Sequence, residues 1–302
     1  MTVLVTGATG FIGSHLVREY LKLGEKVVAV VHDTPVWTKW LTEALHEAVL
    51  VQGDVRDYYF LMRVINQYSV DTVIHLAAQS IVKRAYKDPI NTYDINVMGT
   101  VKVLEACRQL GVKKILVQST DKVYGNQMGV MKNSRLLPTE PYGTSKICAD
   151  VIAQSYAKTY GMHILIVRCC NVYGYDPFNS RIIPNTIKAC IRGESPIIYK
   201  GHKGLRQYVY VQDVVDTVIS LLKLEKEGIV HIGTPDIFDQ ETVVKKILKF
   251  FPDIKPKYVE PPELKEIQSQ SLVPDYPETS TPFEEGIRET ILTFKKYRED
   301  WD

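Results

Sequence analysis

The chain has 302 residues, 45% of them hydrophobic, with 37 basic against 35 acidic side chains and a formal net charge of +2. That supplies the core of one large domain, or of one domain with a smaller satellite, and gives no global attraction to nucleic acid or to anionic membranes. No apolar run approaches the length of a membrane span, and the N-terminus enters a strand without a basic leader, so the expected compartment is the cytoplasm.

Short apolar, β-branched runs recur along the first half, separated by segments of helical spacing. The first, VLVT (3–6), runs into Gly7, Gly10 and Gly13, with Phe11 and Ile12 inside the triplet and a helix after it. A bare glycine triplet arises readily by chance. Set between a strand and a helix, it lets the N–H groups that open the helix face a pyrophosphate, with the helix dipole adding to the attraction.

The second run, VVAVV (27–31), ends in His32-Asp33. An acid closing the second strand is the usual partner of a dinucleotide's adenine ribose; here it stands two positions later than the commonest placement. Asp33 favours NAD, because it repels a 2′-phosphate, while His32 and Lys39 keep NADP open. The third run, VLVQ (49–52), leads through GDVRD to Asp54, which can accept from the adenine amino group or simply form the turn after Gly53.

The fourth run, TVIHLA (72–77), puts His75 where it shapes the end of its strand. The fifth, KILVQS (114–119), leaves the core in Thr120-Asp121-Lys122, a hydroxyl, a carboxylate and an ammonium side by side. In PYGTSKICAD, Tyr142 and Lys146 lie four apart on one face at the start of a helix. A phenol titrates near pH 10 unaided, so it acts as a base at neutral pH only beside a cation, which Lys146 supplies. The sixth run is HILIVR (163–168).

Strands apolar on both faces and alternating with helices imply a parallel sheet covered on both sides: the α/β, Rossmann-like, doubly wound arrangement, expected over 1–170 as an NAD(P)-binding domain. After residue 170 Pro177, Pro184, Gly193, Pro196, Gly201 and Gly204 break the rhythm. Residues 171–302 are expected to form no sheet of their own. They are read as a smaller substrate-binding region capping the carboxyl edge of the main sheet, with some segments returning to that sheet. A polar, Pro-rich stretch begins at 260–263, and PFEEGIRETILTFKKY (282–297) reads as a final surface helix. Five cysteines without CxxC or Cys/His spacing make neither a disulfide framework nor a metal site. They read as small buried apolar residues; Cys148 and Cys170 lie near the motifs but have no adjacent histidine to activate them.

TGATGFIG, HLAAQ (75–79), NVMGT (96–100), STDKVYG, PYGTSK, RCCNVYG (168–174) and RQYVYVQDV (206–214) occur in the order seen in extended short-chain dehydrogenases/reductases acting on nucleotide sugars, and the chain resembles that family over almost its whole length. The resemblance implies a nicotinamide cofactor held by Gly7, Gly10, Phe11, Ile12, Gly13, Asp33, Asp54, Val55, Ala77, Ala78, Tyr142 and Lys146. It implies a Thr120-Tyr142-Lys146 triad with hydride transfer at carbon 4 of a hexose, and substrate contacts at Gln79, Asn171 and Arg206. Gln207 stands where many relatives have Asp. The helices near 91–110 and 142–160 pair across a two-fold axis in relatives, so a homodimer is expected.

The pair after Thr120 divides the family. Epimerases acting at carbon 4 usually carry small or neutral residues there, whereas 4,6-dehydratases carry an acid and a second functional residue; Asp121-Lys122 resembles the pair of the CDP-glucose and the inverting UDP-N-acetylglucosamine 4,6-dehydratases. Oxidation at carbon 4 acidifies the carbon-5 proton, and expelling the 6-hydroxyl needs a proton donor, for which Asp121 is the candidate. To serve, Asp121 must stay protonated, which burial favours and contact with Lys122 opposes, so the two side chains are expected to diverge. Lys122 stands where many dehydratases have a glutamate base, and can take that role only if desolvation or neighbouring charge depresses its pKa. The leading expectation is an NAD-dependent nucleotide-sugar 4,6-dehydratase. The alternatives are a 4-epimerase, a 5,6-dehydratase returning hydride to carbon 4, and a non-catalytic NAD(P)-binding sensor, which would have little reason to keep Thr120, Tyr142 and Lys146 together.

Overall fold

The computed structural model describes residues 1–33, 35–177, 181–261 and 269–302. In chain order, the first half contains β1 (Thr2–Thr6), α1 (Phe11–Lys22), β2 (Lys26–Val31), α2 (Lys39–Leu45), β3 (Val49–Gln52), α3 (Tyr58–Gln67) and β4 (Thr72–His75). It continues with α4 (Val82–Lys87), α5 (Pro89–Tyr93), a π-helical turn (Asp94–Met98), α6 (Gly99–Leu110), β5 (Lys114–Thr120), a 3-10 turn (Asp121–Tyr124), α7 (Pro141–Tyr160) and β6 (Ile164–Cys169). The second half contains β7 (Asn171–Tyr173), α8 (Ile182–Ile191), β8 (Ile197–Tyr199), β9 (Arg206–Tyr210), α9 (Val211–Lys223) and β10 (Gly228–Ile232). After these come β11 (Ile237–Phe238), α10 (Gln240–Leu248), β12 (Lys257–Val259) and α11 (Phe283–Lys296).

The main sheet has seven strands in the order β10-β6-β5-β4-β1-β2-β3. The pairings β1 with β2 and β4, β2 with β3, β4 with β5, and β5 with β6 are all parallel. This is the doubly wound order, in which the chain reverses direction of travel beside β1 and leaves its strand ends converging there. All six runs expected in the first half are strands. Their centres are dry: Val3, Leu4 and Val5, Val73 and Ile74, and Ile115 and Leu116 have no exposure. β3, one of the two edge strands, alternates instead, with Leu50 45% exposed, because one flank of an edge lies open to water.

The chain divides into two compact units, the first comprising 1–125, 132–169 and 215–230, the second 126–131, 170–214 and 231–302. In the second unit the expectation that this half forms no sheet of its own is corrected: β11-β9-β7 make a three-stranded sheet and β12-β8 a two-stranded one. β9 alternates half-buried and buried residues and finds hydrogen-bonding neighbours on both sides, β7 parallel and β11 antiparallel. Strands of two to five residues are too short to show a period in sequence, which is why the Pro and Gly pattern hid them. The final helix forms at Phe283–Lys296 and buries Phe283, Ile287, Ile291 and Phe294 along one stripe. The Pro-rich stretch lies partly, at 262–268, outside the described residues.

Candidate active site

The glycine loop has the geometry that a pyrophosphate needs. Gly7 has φ +70°, and a Cβ there would lie 2.9 Å from the Ala77 nitrogen; at Gly13 it would lie 2.1 Å from the Gly7 carbonyl oxygen. Any side chain at either position collides with backbone, so the close approach requires glycine. α1 opens at Phe11 with Gly10 as N-cap and no side-chain cap, so its first N–H groups remain for an anion. Ala77 is tied in as well: its N–H donates to Thr6 Oγ1 at 3.2 Å. The loop therefore fits a dinucleotide on the structure's own geometry.

Asp33 follows β2 with its side chain 86% exposed. Asp54 forms the turn after Gly53, its Oδ1 accepting from the Arg56 N–H at 2.8 Å. The Arg56 guanidinium also donates to it, Nη2 to Oδ2 at 2.6 Å. Burial pushes the Asp54 carboxyl upward, but the Arg56 and His32 hydrogen bonds and the Arg56 charge outweigh it, and the group falls to about 2. Val55 is buried, with Gly99 close enough that a Cβ there would lie 3.0 Å from its Cγ2.

Thr120 ends β5 in extended backbone and caps the 3-10 turn: its hydroxyl donates to Asp121 Oδ1 at 3.0 Å and accepts from the Lys122 N–H at 3.3 Å. Asp121 is 3% exposed and Lys122 half-buried. α7 starts where it does because Pro141 supplies its first residue and the Glu140 carboxylate caps it, accepting from the Tyr142 and Gly143 N–H groups at 2.7 Å each. Gly143 lets the two segments close up, since a Cβ there would meet the Lys122 carbonyl oxygen at 3.3 Å. Tyr142 and Lys146 follow within the first two turns, both buried. The Lys146 ammonium donates to the Gln118 carbonyl at 2.5 Å, and burial lowers its pKa to about 8 against the opposing pull of Asp150.

Beneath this corner lies a buried ion pair that the sequence reading missed. Asp150, one turn after Lys146, receives Arg168 Nε and Nη2 at 2.8 Å each, the Ser119 hydroxyl at 2.8 Å and Gln154 Nε2 at 2.7 Å. Arg168 also donates to the Tyr124 hydroxyl and, at 3.0 Å, to the Lys132 carbonyl. β5, β6, α7 and the 3-10 turn are thus joined through one bidentate pair. The signal in the sequence was Arg168 closing the apolar run HILIVR and Asp150 following the apolar Ile147-Cys148-Ala149.

His75 stands at the end of β4, as expected, between Thr6 Oγ1 at 2.8 Å from Nδ1 and Thr100 Oγ1 at 3.1 Å from Nε2. Thr6 Oγ1 already accepts from the Leu76 and Ala77 N–H groups, so its proton goes to Nδ1. The Thr100 hydroxyl donates to the Asn96 carbonyl at 2.7 Å and so accepts from Nε2–H. The ring is neutral, with burial and then the Lys146 charge lowering its pKa to about 3.

Asn96 sits in the π-helical turn, within the stretch 91–110 where ordinary helix is expected. Its amide donates to the Ser145 hydroxyl at 2.8 Å and the Gln79 carbonyl at 3.0 Å, and accepts from the Gln79 N–H at 2.8 Å. The Gln79 side chain donates to Thr92 Oγ1 and the Ile81 carbonyl and accepts from the Ile81 N–H.

In the second unit Asn171 donates to the Gln207 carbonyl at 3.1 Å, and Arg206 Nη1 donates to the Leu205 carbonyl at 3.0 Å. Gln207 is a brace: its amide donates to the Thr234 and Leu272 carbonyls and accepts from the Leu272 N–H. Of the cysteines, 107, 169, 170 and 190 are buried and Cys148 partly so. Among the described residues no helix is long and apolar enough to cross a membrane.

Residues 3–233 match the NAD dependent epimerase/dehydratase family. The chain is 34% identical over 246 residues to a UDP-glucose 4-epimerase of Lacticaseibacillus casei, covering 76% of this chain and 73% of that one. It is 31% identical over 265 residues to a dTDP-D-glucose 4,6-dehydratase of Dictyostelium discoideum, covering 82% of this chain and 61%, under two thirds, of that one. Among solved structures, the dTDP-glucose 4,6-dehydratase DesIV of Streptomyces venezuelae, solved with NAD bound, matches with a TM-score of 0.89 at 27% identity over 100% of this chain and 99% of that one. The glycine cradle and the strand order agree with that match over three quarters of the sequence, and the chain belongs to the NAD dependent epimerase/dehydratase family, with NAD as its dinucleotide.

Proposed function

We propose that this enzyme is a nucleotide-sugar 4,6-dehydratase. The observation that carries the reading is a buried carboxyl, Asp121, directly after Thr120 at the mouth of β5, a position for a proton donor that an epimerase does not need. Bound NAD supplies a reversible acceptor for the hydride of carbon 4. Tyr142 takes the proton of the 4-hydroxyl, and Lys146, still largely a cation at neutral pH, stabilises the phenolate. The Thr120 hydroxyl donates to Asp121 and accepts from the Lys122 N–H in the free chain; turned toward the sugar, its proton goes to the 4-hydroxyl oxygen, whose own single proton goes to Tyr142.

With carbon 4 a ketone, the carbon-5 proton is acidic and passes to Lys122. Asp121 gives its proton to the departing 6-hydroxyl, water leaves, and return of the hydride to carbon 6 with a proton to carbon 5 gives the 4-keto-6-deoxy sugar. Asn171 and Arg206 are assigned to the sugar diphosphate, Gln79 to the sugar, and Asp33, Asp54, Val55, Ala77 and Ala78 to the cofactor. A homodimer accompanies this reading; Tyr93, Met98, Val151 and Tyr160 are exposed along the helices that would form it, and light scattering checks it.

A second reading, a 4-epimerase, is favoured by the identity to the Lacticaseibacillus enzyme. The two separate on product mass. The purified chain is incubated with UDP-glucose, UDP-N-acetylglucosamine, CDP-glucose, GDP-mannose and dTDP-glucose in turn, beside an Asp121→Asn variant. Loss of one water from a substrate, abolished in the variant, is the expected result. Unchanged mass with inversion at carbon 4 makes the enzyme an epimerase.

A further inference from the structure

Arg168 lies near the end of β6 with its side chain 2% exposed, and the Asp150 carboxylate that it pairs with is fully buried. A buried ion pair is weak evidence of stability, since well-packed apolar side chains of the same size often do as well. What this one adds is direction. One edge of the planar guanidinium, Nε and Nη2, takes both Asp150 oxygens at 2.8 Å each. The opposite nitrogen, Nη1, is thereby aimed at the Tyr124 hydroxyl and at the Lys132 carbonyl, 3.0 Å away. The Tyr124 hydroxyl donates to the same carbonyl at 3.4 Å, and the guanidinium carbon lies 5.1 Å from the centre of its ring.

Tyr124 is the last residue of the 3-10 turn that begins with Asp121 and Lys122. Two sets of side chains meet at this corner and are held differently. Tyr142 and Lys146 ride on α7 behind the Glu140 cap, and Lys146 is tied to β5 at the Gln118 carbonyl. Asp121 and Lys122 ride on a four-residue turn, closed by the bond from the Gly125 N–H to the Lys122 carbonyl at 3.2 Å. That turn is fixed at its start by the Thr120 hydroxyl, at the Val123 carbonyl by the Leu137 N–H at 2.9 Å, and at its end by Arg168 through Tyr124. The last of these leads directly to α7, because Asp150 lies one turn after Lys146 on that helix.

We infer that Arg168 is a positioning residue of the elimination step: it sets the turn bearing Asp121 and Lys122 against the helix bearing Tyr142 and Lys146. Carbon 5 and the 6-hydroxyl then meet their groups while carbon 4 meets Tyr142. The inference rests on the dehydratase reading and adds to it a residue buried beneath the site. Breaking the link between Arg168 and Tyr124 leaves removal of hydride and proton at carbon 4 in place, since Tyr142 and Lys146 are carried by α7 and tied to β5. The elimination alone slows, because a shift of the turn by about 1 Å takes Asp121 and Lys122 out of line and costs about 10²-fold.

Tyr124→Phe tests it, since the variant loses one hydroxyl and leaves Arg168 with Asp150 and the Lys132 carbonyl. The probes are the five nucleotide sugars of the product-mass experiment. The NAD-loaded chain is followed through one turnover by the near-ultraviolet absorbance of reduced nicotinamide and by product mass. In the variant, reduced nicotinamide should form as fast as in the unaltered chain and persist, while water loss slows about ten- to hundredfold with KM within about twofold. The isotope effect on turnover of a substrate deuterated at carbon 5 should rise. Arg168→Lys, whose compact ammonium lacks the fork that spans Asp150 and Tyr124, should show the same split. Equal slowing of both steps marks a merely structural role and overturns the inference, as does an unchanged rate of water loss. If no substrate loses water with the unaltered chain, the dehydratase reading is what fails, and the turn has no elimination to serve.

Discussion

Two histidines, His32 and His75, stand at the ends of two strands of one sheet in opposite surroundings. His75 is 3% exposed and lies between threonine hydroxyls, each of which can donate or accept, so a neutral ring satisfies both. His32 is half exposed and lies between carboxylates, which only accept. The acids differ in the same way: Asp150 is fully buried against Arg168, whereas Asp33 is mostly in water. Burial, more than residue type, sets what a charge costs or contributes. The corner around Thr120, Tyr142 and Lys146 is a dry, hydrogen-bonded polar network, whereas the groups around His32 are exposed.

The sharpest way to break this contrast is at Asp150. Asp150→Asn leaves the buried Arg168 charge uncompensated and should cost about 3–5 kcal/mol in urea unfolding. If it costs no more than Asp33→Asn, the contrast fails.

Next in size is the pH response of stability. The folded pKa of His75, about 3, lies below its ordinary 6.5, so the unfolded chain binds the extra proton. Stability should fall as pH drops below 6.5 and continue falling toward 3, by several kcal/mol. Lys146 acts at the other end. With a folded value of about 8 against 10.5, its buried charge costs stability in full below 8, and that cost is lifted as pH rises to 10.5. Lys146→Met should therefore unfold at higher urea than the unaltered chain near neutrality, with the gap narrowing above pH 8, while activity drops by about 10²–10⁴.

Gly13→Ala tests the loop between the two regions. The added Cβ meets the Gly7 carbonyl oxygen at 2.1 Å and should cost about 1–3 kcal/mol and most of the NAD affinity, measured by melting with and without NAD. The smallest expected effect is that of Asp33→Ala on stability, within about 0.5 kcal/mol, because exposed ion pairs contribute little. Its effect on ADP-ribose binding should be the larger one.

Much of the fold is legible in the sequence. The six apolar runs are β1 to β6; all but the edge strand β3 are buried on both faces and so are apolar along their length, and the glycine loop is legible because no other residue allows its approach. Tyr142 and Lys146 were legible because one helical turn joins them. The Asp150–Arg168 pair was not, being split between α7 and β6. Nor was the hydrogen bond from Thr6 to His75, 69 residues apart. The π-helical turn at Asn96 depends on partners from residue 79 and residue 145, so no local propensity foretells it. The small sheets of the second unit were misread for want of length.

The sequence by itself determined the elements whose cause is local: strands with a continuous apolar run, a helix capped at Glu140, and a turn that only glycine can make. Tertiary structure alone decided which charges are buried, that His75 is a neutral ring between two threonines, and that Asp150 and Arg168 pair. Those properties belong to groups brought together by sheet pairing and helix packing, and their energies depend on distance and on exclusion of water, neither of which is written in the order of residues.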